Sequence, residues 1–94
     1  MNRKVLVIHP GEMLKDEMQE RDVSINALAR ALRVPPNRVS GIVNGKRGIT
    51  ADTALRLARF FGTSAALWMN LQTEYDLRSA DAHKIAREVL PHAS

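Results

Sequence analysis

The 94-residue sequence has no cysteine, so neither a disulfide framework nor a thiolate metal site is available to it. This fits a reducing compartment, and the cytoplasm is the expected location. The opening MNRKVLVIHPGEM holds only four consecutive apolar residues, too few for a signal peptide or a membrane span, so no membrane partner is expected. Internal repeats, low-complexity tracts and linkers are also lacking, which predicts one domain over residues 1–94. There is no Gly-rich phosphate loop and no nucleophile motif, and His9, His83 and His92 lie far apart. No enzyme activity and no cofactor are therefore expected. His9 and Glu12 are spaced like a pair of metal ligands, but Pro10 and Gly11 intervene and no third ligand is near. The pair reads as a polar start to a first helix, with no metal.

Acid is scarce in the middle of the chain. Between residues 24 and 59 the bases Arg30, Arg33, Arg38, Lys46, Arg47, Arg56 and Arg59 face Asp52 alone, whereas the segments on either side each carry one net negative charge. A basic excess confined to one segment is the footprint of a nucleic-acid binder, because neutralising phosphates releases condensed counterions.

That segment contains INALARALRVPPNRVSGIVN, residues 25–44. Ile25, Leu28, Ala29 and Leu32 recur at helical spacing behind Ser24, a natural N-cap. Pro35 disfavours helix in the residue before it and Pro36 suits the first turn of a new one. The pattern predicts two short helices joined by a tight turn. In the second, Val39, Ile42 and Val43 share one packing direction, while Asn37, Gly41 and Asn44 point away from it and Ser40 and Arg38 flank them. A face of amide, hydroxyl and guanidinium groups suits base edges in a major groove, the alternative being a merely solvated face. Asn37, Arg38 and Ser40 are the candidate base contacts, Gly41 permits close approach, Pro36 starts the helix, and Ser24, Asn44, Lys46 and Arg47 are candidates for holding phosphates.

A first helix is predicted over about residues 11–21, with Leu14 and Met18 inward. After the glycine-flanked loop that carries Lys46 and Arg47, Thr50 caps a helix with Ala54, Leu57, Ala58 and Phe61 inward, closed by Gly62. Thr63 or Ser64 caps a fifth helix, about residues 64–78. Its apolar residues spread around the cylinder, so part of it is expected to face a second subunit through Leu67, Trp68, Met69, Leu71, Tyr75 and Leu77; core packing alone is the alternative. Residues 79–94 form a tail with weak helical character around Ile85, Ala86 and Val89, which allows an extra C-terminal helix. Val5, Leu6, Val7 and Ile8, in an arm over residues 1–8, suit either a short strand or packing on the body.

The run over residues 25–44 resembles the helix-turn-helix of the Cro and phage-repressor superfamily, also called the xenobiotic-response-element type. The pieces His9-Pro10-Gly11-Glu12, PPNR, NGKRGIT and LWMNLQ extend that resemblance, over about residues 9–78, to the HigA-type antitoxins of bacterial toxin–antitoxin pairs. The resemblance implies an all-α, five-helix domain that acts as a homodimer on a palindromic duplex operator. It further implies the silencing of a cognate toxin, in that family a ribosome-dependent mRNA endonuclease, and repression of the operon encoding both. A free-standing repressor of the same fold is the rival reading. With DNA on one face and a second subunit on the fifth helix, the surface left for a toxin is Val5 to Ile8 with Glu17 and Glu20. One departure stands out: the residue after Leu32 is usually glycine in this family and is Arg33 here, which costs on the order of 1 kcal/mol if the backbone there is left-handed.

Overall fold

Helix starts are set by single side chains. Ser24 Oγ accepts from the Ala27 N–H at 3.1 Å, Thr50 Oγ1 from Thr53 at 3.4 Å, Ser64 Oγ from Leu67 at 3.1 Å and Asp81 from Lys84 at 2.9 Å. Each satisfies a donor that a helix N-terminus leaves without an internal partner. His9 does the same with its ring, Nδ1 accepting from the Gly11 N–H at 2.9 Å. In the computed structural model, which describes residues 8–93, these caps open an all-α domain: α1 Pro10–Glu20, α2 Ile25–Leu32, α3 Pro36–Val43, α4 Ala51–Phe61, α5 Ala65–Ser79 and α6 Ala82–Glu88. Only α3 lacks a side-chain cap; it starts on Pro36, whose missing N–H removes one of the orphan donors.

Helices α1 to α4 each run into a left-handed residue, whereas α5 and α6 end on extended ones. Asp22, Arg33, Gly45 and Gly62 have φ of 53, 60, 73 and 74°. At Arg33 the Val34 N–H reaches Ala29 O at 3.0 Å and the Arg33 N–H reaches Arg30 O at 3.2 Å, the paired closure that normally recruits glycine. Arg33 therefore does adopt the strained geometry that its position implied, and the turn keeps its shape in spite of the side chain.

The core is one cluster: Leu14 and Met18 of α1, Leu28, Ala29 and Leu32 of α2, Val39 and Ile42 of α3, Ile49 of the following loop, Ala54, Leu57 and Phe61 of α4, and Trp68 of α5. Helix α3 packs on α2 and α1, and α4 packs on α2 and α5. The recognition segment is thus clamped from behind by two helices, while its front stays free.

Six helices are present among the described residues: the five expected and α6, the extra C-terminal helix that the tail allowed for, which packs on no other described helix. No strand occurs among the described residues; of the arm that could hold one, Val5, Leu6 and Val7 lie outside them, and Ile8 is exposed and non-helical. One expectation is corrected. Trp68 does not face a second subunit. It is fully buried, its Nε1–H donates to Thr63 Oγ1 at 2.9 Å, and its ring lies 6.1 Å from that of Phe61. A large ring with one polar edge fits an interior only where that edge finds an acceptor, and Thr63, just before α5, supplies it.

Candidate nucleic-acid interface

Helix α3 is carried on a close backbone contact. Gly11, buried in the first turn of α1, lies against the carbonyl of Ile42, and any Cβ there would collide with the carbonyl oxygen. Val39 and Ile42 are buried on this side. The opposite side leaves Pro36, Asn37 and Asn44 exposed, with Arg38, Ser40 and Gly41 half-buried. The Ser40 hydroxyl donates weakly to Asn37 O at 3.4 Å. The predicted polar face therefore exists, continuous with exposed Lys46 and Arg47 in the loop after α3.

Gly41 serves that loop. Its carbonyl accepts from the N–H groups of Lys46 and Arg47 at 2.8 and 3.0 Å, and an added Cβ would stand 3.2 Å from Arg47 Cβ. The bare flank read as room for DNA is thus already occupied by the Arg47 side chain. Gly45, with φ 73°, makes the turn that brings the chain back. The far end of the loop is fastened by α5: the Ile49 N–H donates to Gln72 Oε1 at 2.6 Å, and Gln72 Nε2 donates to Asp76 Oδ1 at 2.9 Å. Lys46 and Arg47 are therefore held on a short loop fixed at both ends.

Arg38 is positioned by α4. Its Nη1 donates to Asp52 Oδ2 at 2.8 Å, and Arg56 Nε donates to the same oxygen at 2.9 Å. Arg56 Nη1 in turn donates to Leu32 O at 2.9 Å, at the last turn of α2. The Arg56 hydrogen bond does most to hold the Asp52 carboxyl below the ordinary carboxylate range; desolvation, next in size, opposes it, the Arg38 hydrogen bond and the two positive charges add to the lowering, and Arg56 is raised in return. Asp52, Arg56, Gln72 and Gly11 were not singled out from sequence as parts of this site. The isolated acid among seven bases was the one signal that pointed to Asp52.

The remaining candidates fall on other surfaces. Ser24 is exposed, with its hydroxyl committed to capping α2. On α5, Leu67, Met69, Leu71 and Tyr75 are half-buried and Leu77 is 66% exposed; Tyr75 also meets the His9 ring edge-on at 4.7 Å. On α1, Glu20 is exposed and Glu17 is ion-paired with Arg21 at 2.7 Å. Ile8, the acids of α1 and the apolar residues of α5 are not brought together with the α3 face into one site, and Val5, Leu6 and Val7 lie outside the described residues.

Two helices crossing at a tight turn, with the second showing a polar front flanked by fixed cations, define a DNA-binding module of the helix-turn-helix class. The helix-turn-helix family (HTH_3) matches residues 14–68. Virulence-associated protein I of Dichelobacter nodosus is 54% identical over 78 residues, covering 82% of this chain and 72% of that protein. Among solved structures, an addiction module antidote protein of the HigA family from Coxiella burnetii is 51% identical, with a TM-score of 0.87 over 94% of this chain and 100% of that one. Pseudomonas aeruginosa antitoxin HigA, solved with the higBA promoter, is also 51% identical, with a TM-score of 0.86 over 92% of this chain and 98% of that one. The chain belongs to the helix-turn-helix family and, within it, to the HigA-type antitoxins. This is a family of DNA-binding regulators, not of enzymes. No helix among the described residues is long and apolar enough to cross a membrane.

Proposed function

We propose that the protein is an antitoxin that represses its own operon by binding a palindromic duplex operator as a two-fold dimer. The observation that carries this reading is the α3 face: exposed amides and Arg38 in front, a buried Gly11 contact behind, and Lys46 and Arg47 pinned beside it. That the P. aeruginosa relative was solved with the higBA promoter supports an operator as the ligand. Asn37, Arg38 and Ser40 read base edges, while Ser24, Asn44, Lys46 and Arg47 hold phosphates. One short helix reaches only a few base pairs, so two copies bind half-sites about 34 Å apart. The exposed Leu77 and the half-buried Leu67, Met69, Leu71 and Tyr75 of α5 form the dimer contact, with Trp68 supporting it from the core. A toxin, as a basic partner, meets the N-terminal arm and the acids Glu17 and Glu20 of α1, away from DNA.

The test is binding to duplex DNA across a salt series, with sedimentation of the free and bound protein. Lys46→Ala should weaken operator and random duplex alike and lower the salt slope by about 1. A strict monomer on operator DNA, or an affinity indifferent to salt, would overturn the reading. For the toxin, reversing Glu17 and Glu20 to lysine should reduce capture while operator affinity stays within a few-fold; full capture by the folded variant would move the interface elsewhere.

A further inference from the structure

We propose that Asp52, on α4, is a specificity-determining residue: it aims the Arg38 guanidinium and so sets the base preference of the recognition helix without touching DNA itself. This deepens the reading of Arg38 as a base reader and rests on it. An arginine on a half-exposed helix flank samples many rotamers, and a base contact must freeze one of them. Here one has been chosen before DNA arrives. Arg38 Nη1 is tied to Asp52 Oδ2 at 2.8 Å, which uses one of five guanidinium donors and leaves four, more than the two that a bidentate guanine contact requires.

The anchor is itself anchored. Asp52 Oδ2 also accepts from Arg56 Nε at 2.9 Å, and Arg56 Nη1 is held by the Leu32 carbonyl at 2.9 Å. The chain Leu32–Arg56–Asp52–Arg38 therefore runs from the end of α2 through α4 to α3, across residues 14 and 24 positions apart. Asp52 is also 56% exposed at the side chain and is the single acid in the basic segment. A carboxylate there repels every phosphate backbone equally, lowering affinity for random duplex, while its hold on Arg38 favours only the sequences that Arg38 can read. Both effects widen the gap between operator and random DNA.

The experiment is selection of binding sites from a randomised duplex pool by the full chain and by three variants, Arg38→Ala, Asp52→Ala and the double substitution, each first shown by circular dichroism to be folded. The wild type should enrich a palindromic motif. Arg38→Ala should flatten one position in each half-site, and Asp52→Ala should flatten the same position, with preference there falling on the order of tenfold and affinity for random duplex rising. In the Arg38→Ala background the second substitution should change nothing further at that position, which a general structural role of Asp52 would not reproduce. Asp52→Asn, which keeps an acceptor for Arg38, should retain part of the preference. If Arg38→Ala flattens the position and Asp52→Ala leaves it intact or sharpens it, the inference fails and the base-reading role of Arg38 stands. If the wild type enriches no motif, or Arg38→Ala alters none, the reading beneath it fails as well.

Discussion

Replacing Gly11 by alanine tests how the recognition helix is held. Gly11 is in the first turn of α1 and lacks the positive φ found at Gly45 and Gly62, so its conformation suits alanine, and helix propensity alone predicts a gain of up to about 1 kcal/mol. The tertiary contact predicts the opposite. An added Cβ would fall on the Ile42 carbonyl oxygen, with the carbonyl carbon at 2.8 Å and His9 Nδ1 at 3.0 Å. Ordinary contact begins near 3.4 Å, so α3 would have to retreat by more than half an ångström. The Ile42 atoms are backbone and cannot rotate aside, and close-packed interiors yield little. Overpacking of this kind costs about 1–3 kcal/mol. The overlap with the Ile42 carbonyl is severe, so the upper end of that range applies; less the propensity gain, the net loss is about 2 kcal/mol, or a fall of roughly 8–16 °C in Tm for a chain of this size. Thermal unfolding by circular dichroism reads the stability, and operator titration reads the displacement of α3 as weakened specific binding. A variant as stable as the wild type, or more so, would refute the claim that Gly11 is required by the α1–α3 approach.

Arg33→Gly relieves the left-handed strain of about 1–2 kcal/mol at φ 60° but loosens the unfolded chain by about 0.4–1 kcal/mol, so a net gain of about 0–1.6 kcal/mol is expected in urea unfolding, and a net loss would contradict the strain. Trp68→Ala empties the largest fully buried site and should cost about 3–5 kcal/mol, enough to leave a small domain largely unfolded at 37 °C by circular dichroism. The depressed carboxyl of Asp52 contributes stability that is fully present above the ordinary carboxylate value of 3.8 and is lost as pH falls through and below it. The wild type should therefore lose stability more steeply than Asp52→Asn on acidification from about pH 5 to pH 2, and parallel curves would contradict the pairing.

Helix positions were legible in the sequence because their signals are local. Ser24, Thr50 and Ser64 cap within three residues, Pro35 and Pro36 separate α2 from α3, Gly62 closes α4, and Leu14 and Met18 sit about one helical turn apart on one face. The polar front of α3 and the basic bias of residues 24–59 were legible for the same reason, since helical period and charge are read along the chain. Tertiary structure alone decided the rest. On α5 the apolar residues surround the cylinder, so periodicity had no direction to report, and the Trp68 side was chosen by Phe61 and by the Thr63 hydroxyl. Gly11 and Gly41 are bare because Ile42 and Arg47 lie against them, neighbours that packing brings into contact and spacing does not reveal. Arg38 and Asp52 stand 14 residues apart and Ile49 and Gln72 stand 23 apart. Hydrogen bonds over such separations depend on how helices pack in space, and no local pattern encodes that.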